Sequence, residues 1–151
     1  MTAAQVLEVL RNLFEEGSFP AIYAILFGSL AKGVAHPLSD LDVGVRVPDL
    51  DEGSVLSLRI DLVLELASRL GISEDLIDVV VFRPVDVSAR PAFFYEMLCN
   101  GILAWGDRCI YIEDLVKSAL LNSDHNVQLR KSGYPTSYVE KLGRMVREWG
   151  L

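Results

Sequence analysis

An apolar run from Ala21 to Phe27 ends in Gly28-Ser29, and ten residues later the chain reads Asp40-Leu41-Asp42-Val43 at the head of a second apolar run. This order prescribes a strand, a tight turn, and a returning strand that starts with two acids. Side chains of a strand alternate faces, so Asp40 and Asp42 point the same way with Cα atoms about 6.5 to 7 Å apart. Their carboxylates can therefore converge on one site. Paired aspartates repel each other unless a cation lies between them. Hard divalent ions such as Mg²⁺ take oxygen ligands, usually a few carboxylates plus the phosphates of a substrate. Two such ions about 3.5 to 4 Å apart stabilise both the attacking and the leaving oxygens of a displacement at phosphorus.

The turn supplies the complementary half. Gly28 lets the backbone fold back with no Cβ in the way, and Ser29 offers a hydroxyl and an amide to a phosphate. A short helix from Leu30 onward would aim its free N–H groups at the same anion, and Gly33 would end it. Gly28, Ser29 and Lys32 are thus the candidate nucleotide-binding residues.

A Gly-Ser pair, ten residues, then Asp-x-Asp after a hydrophobic strand resembles the signature of the polymerase-β-like nucleotidyltransferases. The small size, Ala31-Lys32-Gly33 and Ser39-Asp40 resemble the minimal members, most of all the MntA-type antitoxins encoded beside HEPN-domain toxins. The resemblance covers about Tyr23 to Asp107. It implies an α/β (α+β) fold with a mixed central sheet flanked by helices. It also implies a third carboxylate on a later strand, which shares a metal and accepts the proton of the attacking hydroxyl. The β-branched run Ile77-Asp78-Val79-Val80-Val81-Phe82 is similar to that strand, which selects Asp78, with Asp75 just upstream as the alternative. Asp40, Asp42 and Asp78 are then the expected catalytic residues and the expected ligands of two Mg²⁺ ions, with ATP as the nucleotide donor. Lys32 departs from the family, where Arg is common; Arg grips phosphate through two parallel bonds and Lys acts as a point charge. Arg83, just past the third strand, is not assigned a role.

The resemblance implies transfer of AMP to a hydroxyl, namely a tyrosine of a HEPN-type RNase toxin, and silencing of that toxin. No arginine in this chain is followed four to six residues later by a histidine, the arrangement of the nuclease partner, so the chain is the transferase half of such a pair. Two other functions stay open. One is transfer to a small molecule such as an aminoglycoside, for which 151 residues leave little room for a further substrate domain. The other is an antitoxin that neutralises by binding alone.

Charge separates these readings from nucleic-acid binding. The net charge is -7, whereas phosphate neutralisation calls for a basic face, so no direct nucleic-acid partner is expected. Residues 1 to 116 hold 8 basic and 18 acidic side chains (-10) and residues 117 to 151 hold 6 and 3 (+3). We accordingly divide one compact domain into a nucleotidyltransferase core, 1–116, and a basic C-terminal helical extension, 117–151, a candidate surface for an oligomer or hetero-oligomer. No apolar stretch is long enough to span a membrane and the first residues lack a signal-peptide pattern, which points to the cytoplasm. Cys99 and Cys109, with no Cys/His cluster, read as core thiols, and His36 and His125 as surface residues.

Periodicity completes the pattern. A helix is expected over 2–16, from Val6, Leu7, Leu10, Leu13 and Phe14, then strands 21–27 and 41–47, and an amphipathic helix from about Val55 to Leu70 with Gly71 after it. A strand 77–82, a helix from about Arg90 to Cys99, a strand near Ile102 to Trp105 and a helix capped by Asp107 follow. A polar break near Asn122 to Asn126, a turn at Gly133 to Pro135 and a last helix from Ser137 with Glu140 in a capping box close the chain. Trp105 and Trp149 read as packing residues.

Overall fold

The computed structural model describes residues 1–33 and 40–131, with side chains as far as Ser123. Helix α1 (Ala3–Glu15) starts at Thr2, whose side chain accepts from the Gln5 amide while the Thr2 amide donates to Gln5 Oε1 at 2.9 Å. Its helical spacing buries Val6, Leu10, Leu13 and Phe14. Strand β1 (Tyr23–Phe27) and strand β2 (Leu41–Arg46) run antiparallel, and the one-turn helix α2 (Gly28–Ala31) follows directly on β1. Helix α3 (Glu52–Leu70) carries the chain back across the sheet so that strand β3 (Ile77–Phe82) lies parallel to β2, as a parallel pair requires a long crossover. Helices α4 (Pro84–Ala89) and α5 (Pro91–Asn100), strand β4 (Ile102–Gly106) and helix α6 (Arg108–Lys131) complete the order.

The mixed sheet runs β3-β2-β1-β4. Its alternating side chains feed two cores. Leu41, Val43 and Val45 join Leu10 and Phe14 of α1 and Leu58, Leu62 and Leu66 of α3 on one face. Tyr23, Ile25 and Phe82 join Phe94 and Leu98 of α5 and Leu115 of α6 on the other. Both faces of β1 and β2 are covered, and Asp42 lies at the end of the sheet where β1 turns into α2. A buried polar cluster ties α6 to the strands: Arg46 Nε donates to Asp114 Oδ2 at 2.9 Å, and the Tyr23 hydroxyl donates to the same oxygen at 2.7 Å. Burial, together with the Asp114 carboxylate, pushes the Tyr23 phenol far above its ordinary range.

Several boundaries differ from the sequence expectation for local reasons. Helix α3 begins at Glu52 rather than near Val55, because Asp51 caps it through the Ser54 amide (3.1 Å) and its first turn carries no apolar marker. Gly71 ends it in the left-handed conformation (φ +65°). The unexpected α4 forms where Pro84 and Asp86 provide a helix start, and Pro91 then breaks the path so that α5 begins afresh. Asp107 does cap α6, accepting from the amides of Cys109 and Ile110 at 2.9 and 3.1 Å. Yet α6 runs unbroken through the polar stretch at Asn122 to Asn126. It contains no Gly or Pro, and Asn, Ser, Asp and His each cost a helix only tenths of a kcal/mol. Cys99 is partly buried but Cys109, in the first turn of α6, is exposed rather than a core thiol. Trp105 packs as expected, stacked on Phe14 at 5.5 Å. His36, Trp149, the turn at Gly133 to Pro135 and the helix from Ser137 lie outside the described residues. No described helix is long and apolar enough to cross a membrane.

Candidate active site

The strand register places the acids. In the β1–β2 ladder Phe27 lies opposite Asp42, and in the β2–β3 ladder Asp42 lies opposite Asp78. Asp42 therefore sits between the Gly28 turn and the third strand, on the face shared by Phe27, Asp78 and Phe82. Gly28 has φ +76°, and a Cβ there would overlap Asp42 Oδ2. Only glycine permits both the left-handed turn and the close approach of the carboxylate. Helix α2 starts at Gly28 itself, two residues before the expected Leu30, and ends at Ala31, with Lys32 and Gly33 (φ +72°) in the turn after it. One turn of helix has little macrodipole, so its contribution at Ser29 is chiefly the free N–H groups. Ser29 is half-buried.

The electrostatics follow from that placement. Burial raises the Asp42 carboxyl above its ordinary range, and the charges of Asp78 and Asp40 raise it further. Asp40 and Asp78 are themselves exposed. Asp75 stands in the exposed 3₁₀ turn Glu74–Leu76, held by Ser73, and is not among the charges acting on Asp42. The charges of Asp78 and Asp40 thus both bear on Asp42, and that of Asp75 does not.

Lys32 is exposed, with Nζ 3.8 Å from Glu96 of α5. Arg83 is engaged by Asp86 (Nε to Oδ2, 3.1 Å) and by the Leu50 carbonyl, so it serves the α4 start. A further residue that sequence reasoning passed over is Arg59 of α3, which reaches to 3.9 Å from Asp78 with both side chains about half exposed. Its one sequence signal is a basic side chain interrupting the apolar spacing of α3. No group of three or more His, Cys, Asp or Glu side chains among the described residues is gathered closely enough to hold a metal ion. The chemistry of the donors nevertheless suits a hard divalent cation, because Asp40, Asp42 and Asp78 are all oxygen donors and a cation would offset the charge that Asp78 and Asp40 press on Asp42.

Residues 5–117 match the family model described as "Nucleotidyltransferase domain". The chain belongs to that family. No curated protein matches. Among solved structures, this nucleotidyltransferase superposes on a chain of a toxin-antitoxin with AMP-PNP, with a TM-score of 0.63 at 23% identity, over 83% of this chain and 93% of that one. A tri-AMPylated Shewanella oneidensis HEPN toxin in complex with MNT antitoxin gives a TM-score of 0.59 at 20% identity over 85% and 92%. A toxin-antitoxin MntA-HepT structure gives 0.58 at 20% over 85% and 93%. These matches give the nucleotidyltransferase the minimal fold, with a mixed four-stranded sheet flanked by helices, that the sequence resemblance implied.

Proposed function

We propose that this nucleotidyltransferase moves AMP from ATP to a tyrosine hydroxyl of a HEPN-type RNase toxin and thereby acts as an antitoxin in the cytoplasm. The observation that carries the reading is the position of Asp42, pressed against Gly28 on one side and in register with Asp78 on the other. The fold shared with an MNT antitoxin seated on an AMPylated HEPN toxin supports the choice of acceptor.

In this reading the Gly28 backbone and Ser29 hold the triphosphate, with Lys32 released from Glu96 to assist. Asp40, Asp42 and Asp78 would hold two Mg²⁺ ions, which when bound neutralise charge on the attacking and leaving oxygens. Asp78 orients the acceptor hydroxyl and takes its proton. The acceptor oxygen forms a bond to the α-phosphorus as the bond to pyrophosphate breaks, so that pyrophosphate leaves and the acceptor keeps the adenylyl group.

Incubation with the HEPN-type product of a neighbouring gene, ATP and Mg²⁺, followed by intact-mass measurement, tests this directly. One or more adenylyl units should appear on the neighbour. The reading fails if none does, if hydroxylated antibiotics are labelled instead, or if a variant with all three aspartates changed to Asn still rescues cells at equal abundance.

A further inference from the structure

Helix α3 is apolar on more than its buried side. Leu58, Leu62 and Leu66 face the core, while Leu56, Ile60 and Leu64, each four residues apart, stand 56%, 52% and 48% exposed. Isolated exposed leucines are ordinary, but a contiguous apolar strip on a charged protein marks an interaction surface. The strip adjoins a second feature. Among the described residues, strand β3 is an edge of the sheet. Phe82 O accepts from Val47 N on the β2 side, so by alternation Val79 and Val81 turn their N–H and C=O groups outward. Open edges are templates for pairing with another chain unless they are covered.

The two features meet at the candidate active site. Leu56, Arg59 and Asp78 line one open cleft of about 370 Å³ whose floor is Val79, Val80 and Val81. A chain seated on the strip would lie within a side chain's reach of Asp78.

We infer that the exposed α3 strip and the β3 edge together form the docking surface for the acceptor protein, which presents its hydroxyl to Asp78 across this cleft. The inference rests on the transfer reading above and adds to it the face that selects the acceptor. The alternative occupant, a second copy of this chain, is disfavoured by charge: residues 1 to 116 carry a net charge of -10, with Glu52 exposed beside the cleft on α3, so two such faces repel. A partner with an apolar face and a basic rim does not meet that obstacle.

The full chain, co-expressed with its gene neighbours and carrying benzoyl-phenylalanine in place of Ile60, gives a direct test. Irradiation should crosslink it to one protein, and mass spectrometry should find adenylate on that same protein. The same probe in place of Asp61, on the far side of α3, should crosslink it at least ten-fold less. In parallel, a variant combining Ile60→Glu and Leu64→Glu, which lie outside the lining of the cleft, should label the acceptor at least ten-fold more slowly while taking up Mg-ATP as the wild type does. A crosslink to a second copy, to a protein that carries no adenylate, or of equal yield from both positions would overturn the inference, as would undiminished labelling by the double variant. If the wild-type chain adenylylates no protein, the transfer reading itself has failed. If it adenylylates a protein other than the one captured through position 60, the docking surface alone has failed.

Discussion

At the scale of single residues, the geometry at Gly28 and Asp42 makes opposed demands on stability and chemistry. Asp42 holds its proton more tightly in the folded chain than in the unfolded one, because burial and two neighbouring carboxylates oppose its charge. For an acid whose folded pKa is raised, stability is lost as pH climbs from its ordinary 3.8 toward the raised value. Asp42→Asn removes that penalty. In chelator at neutral pH the variant should melt higher than the wild type, and the two melting temperatures should converge as pH falls below the ordinary carboxyl range. In the transfer assay the same variant should keep less than about a tenth of the wild-type rate, since positioning and charge stabilisation dominate phosphoryl-type transfer. Gly28→Ala should fail in both respects. The left-handed φ costs a non-glycine residue about 1 kcal/mol, and the methyl displaces the Asp42 carboxylate, so both the melting temperature and the turnover should drop.

At the scale of elements, what could be read from the chain was whatever local chemistry determines. The Gly-Ser turn, the i, i+2 aspartates, the caps at Asp51 and Asp107 and the left-handed stop at Gly71 each act within a few residues, and each was visible as a residue type at a spacing, even where, as at Asp51, it was not used. Long-range decisions were not visible. Arg46 and Asp114 are 68 positions apart, and nothing in either neighbourhood announces that they meet in the interior. The contact ties α6 to β1 and β2. Removing one partner of a buried pair leaves an uncompensated charge, at a cost of about 3 to 5 kcal/mol. Asp114→Ala should therefore cost that much in denaturant unfolding, with Arg46 and the Tyr23 hydroxyl both abandoned. A loss below about 1 kcal/mol would mean that the cluster does not anchor α6. The Arg59–Asp78 approach was hidden for the same reason, since it joins α3 to an edge strand only after the crossover has formed.

At the scale of the whole molecule, a cation linking strands β2 and β3 would couple nucleotide chemistry to global stability. Anything that binds only the folded state stabilises it by RT ln(1 + [L]/Kd), about 1.4 kcal/mol at ten times Kd. Mg²⁺ at ten times Kd should thus raise the melting temperature of this 151-residue chain by about 3 to 6 °C, and Asp42→Asn should abolish the rise. An identical rise in both proteins would detach the cation from these carboxylates. One more consequence follows from where Asp78 is mounted. Among the described residues its strand is the last in the row, zipped to the rest along a single seam. If that seam opens, one oxygen donor departs while the Gly28 turn and Asp42 remain in place. Warming should then extinguish catalysis several degrees before the bulk of the protein melts, and the amides of Asp78, Val80 and Phe82 should trade their hydrogens for deuterium on the same schedule as the enzyme goes silent.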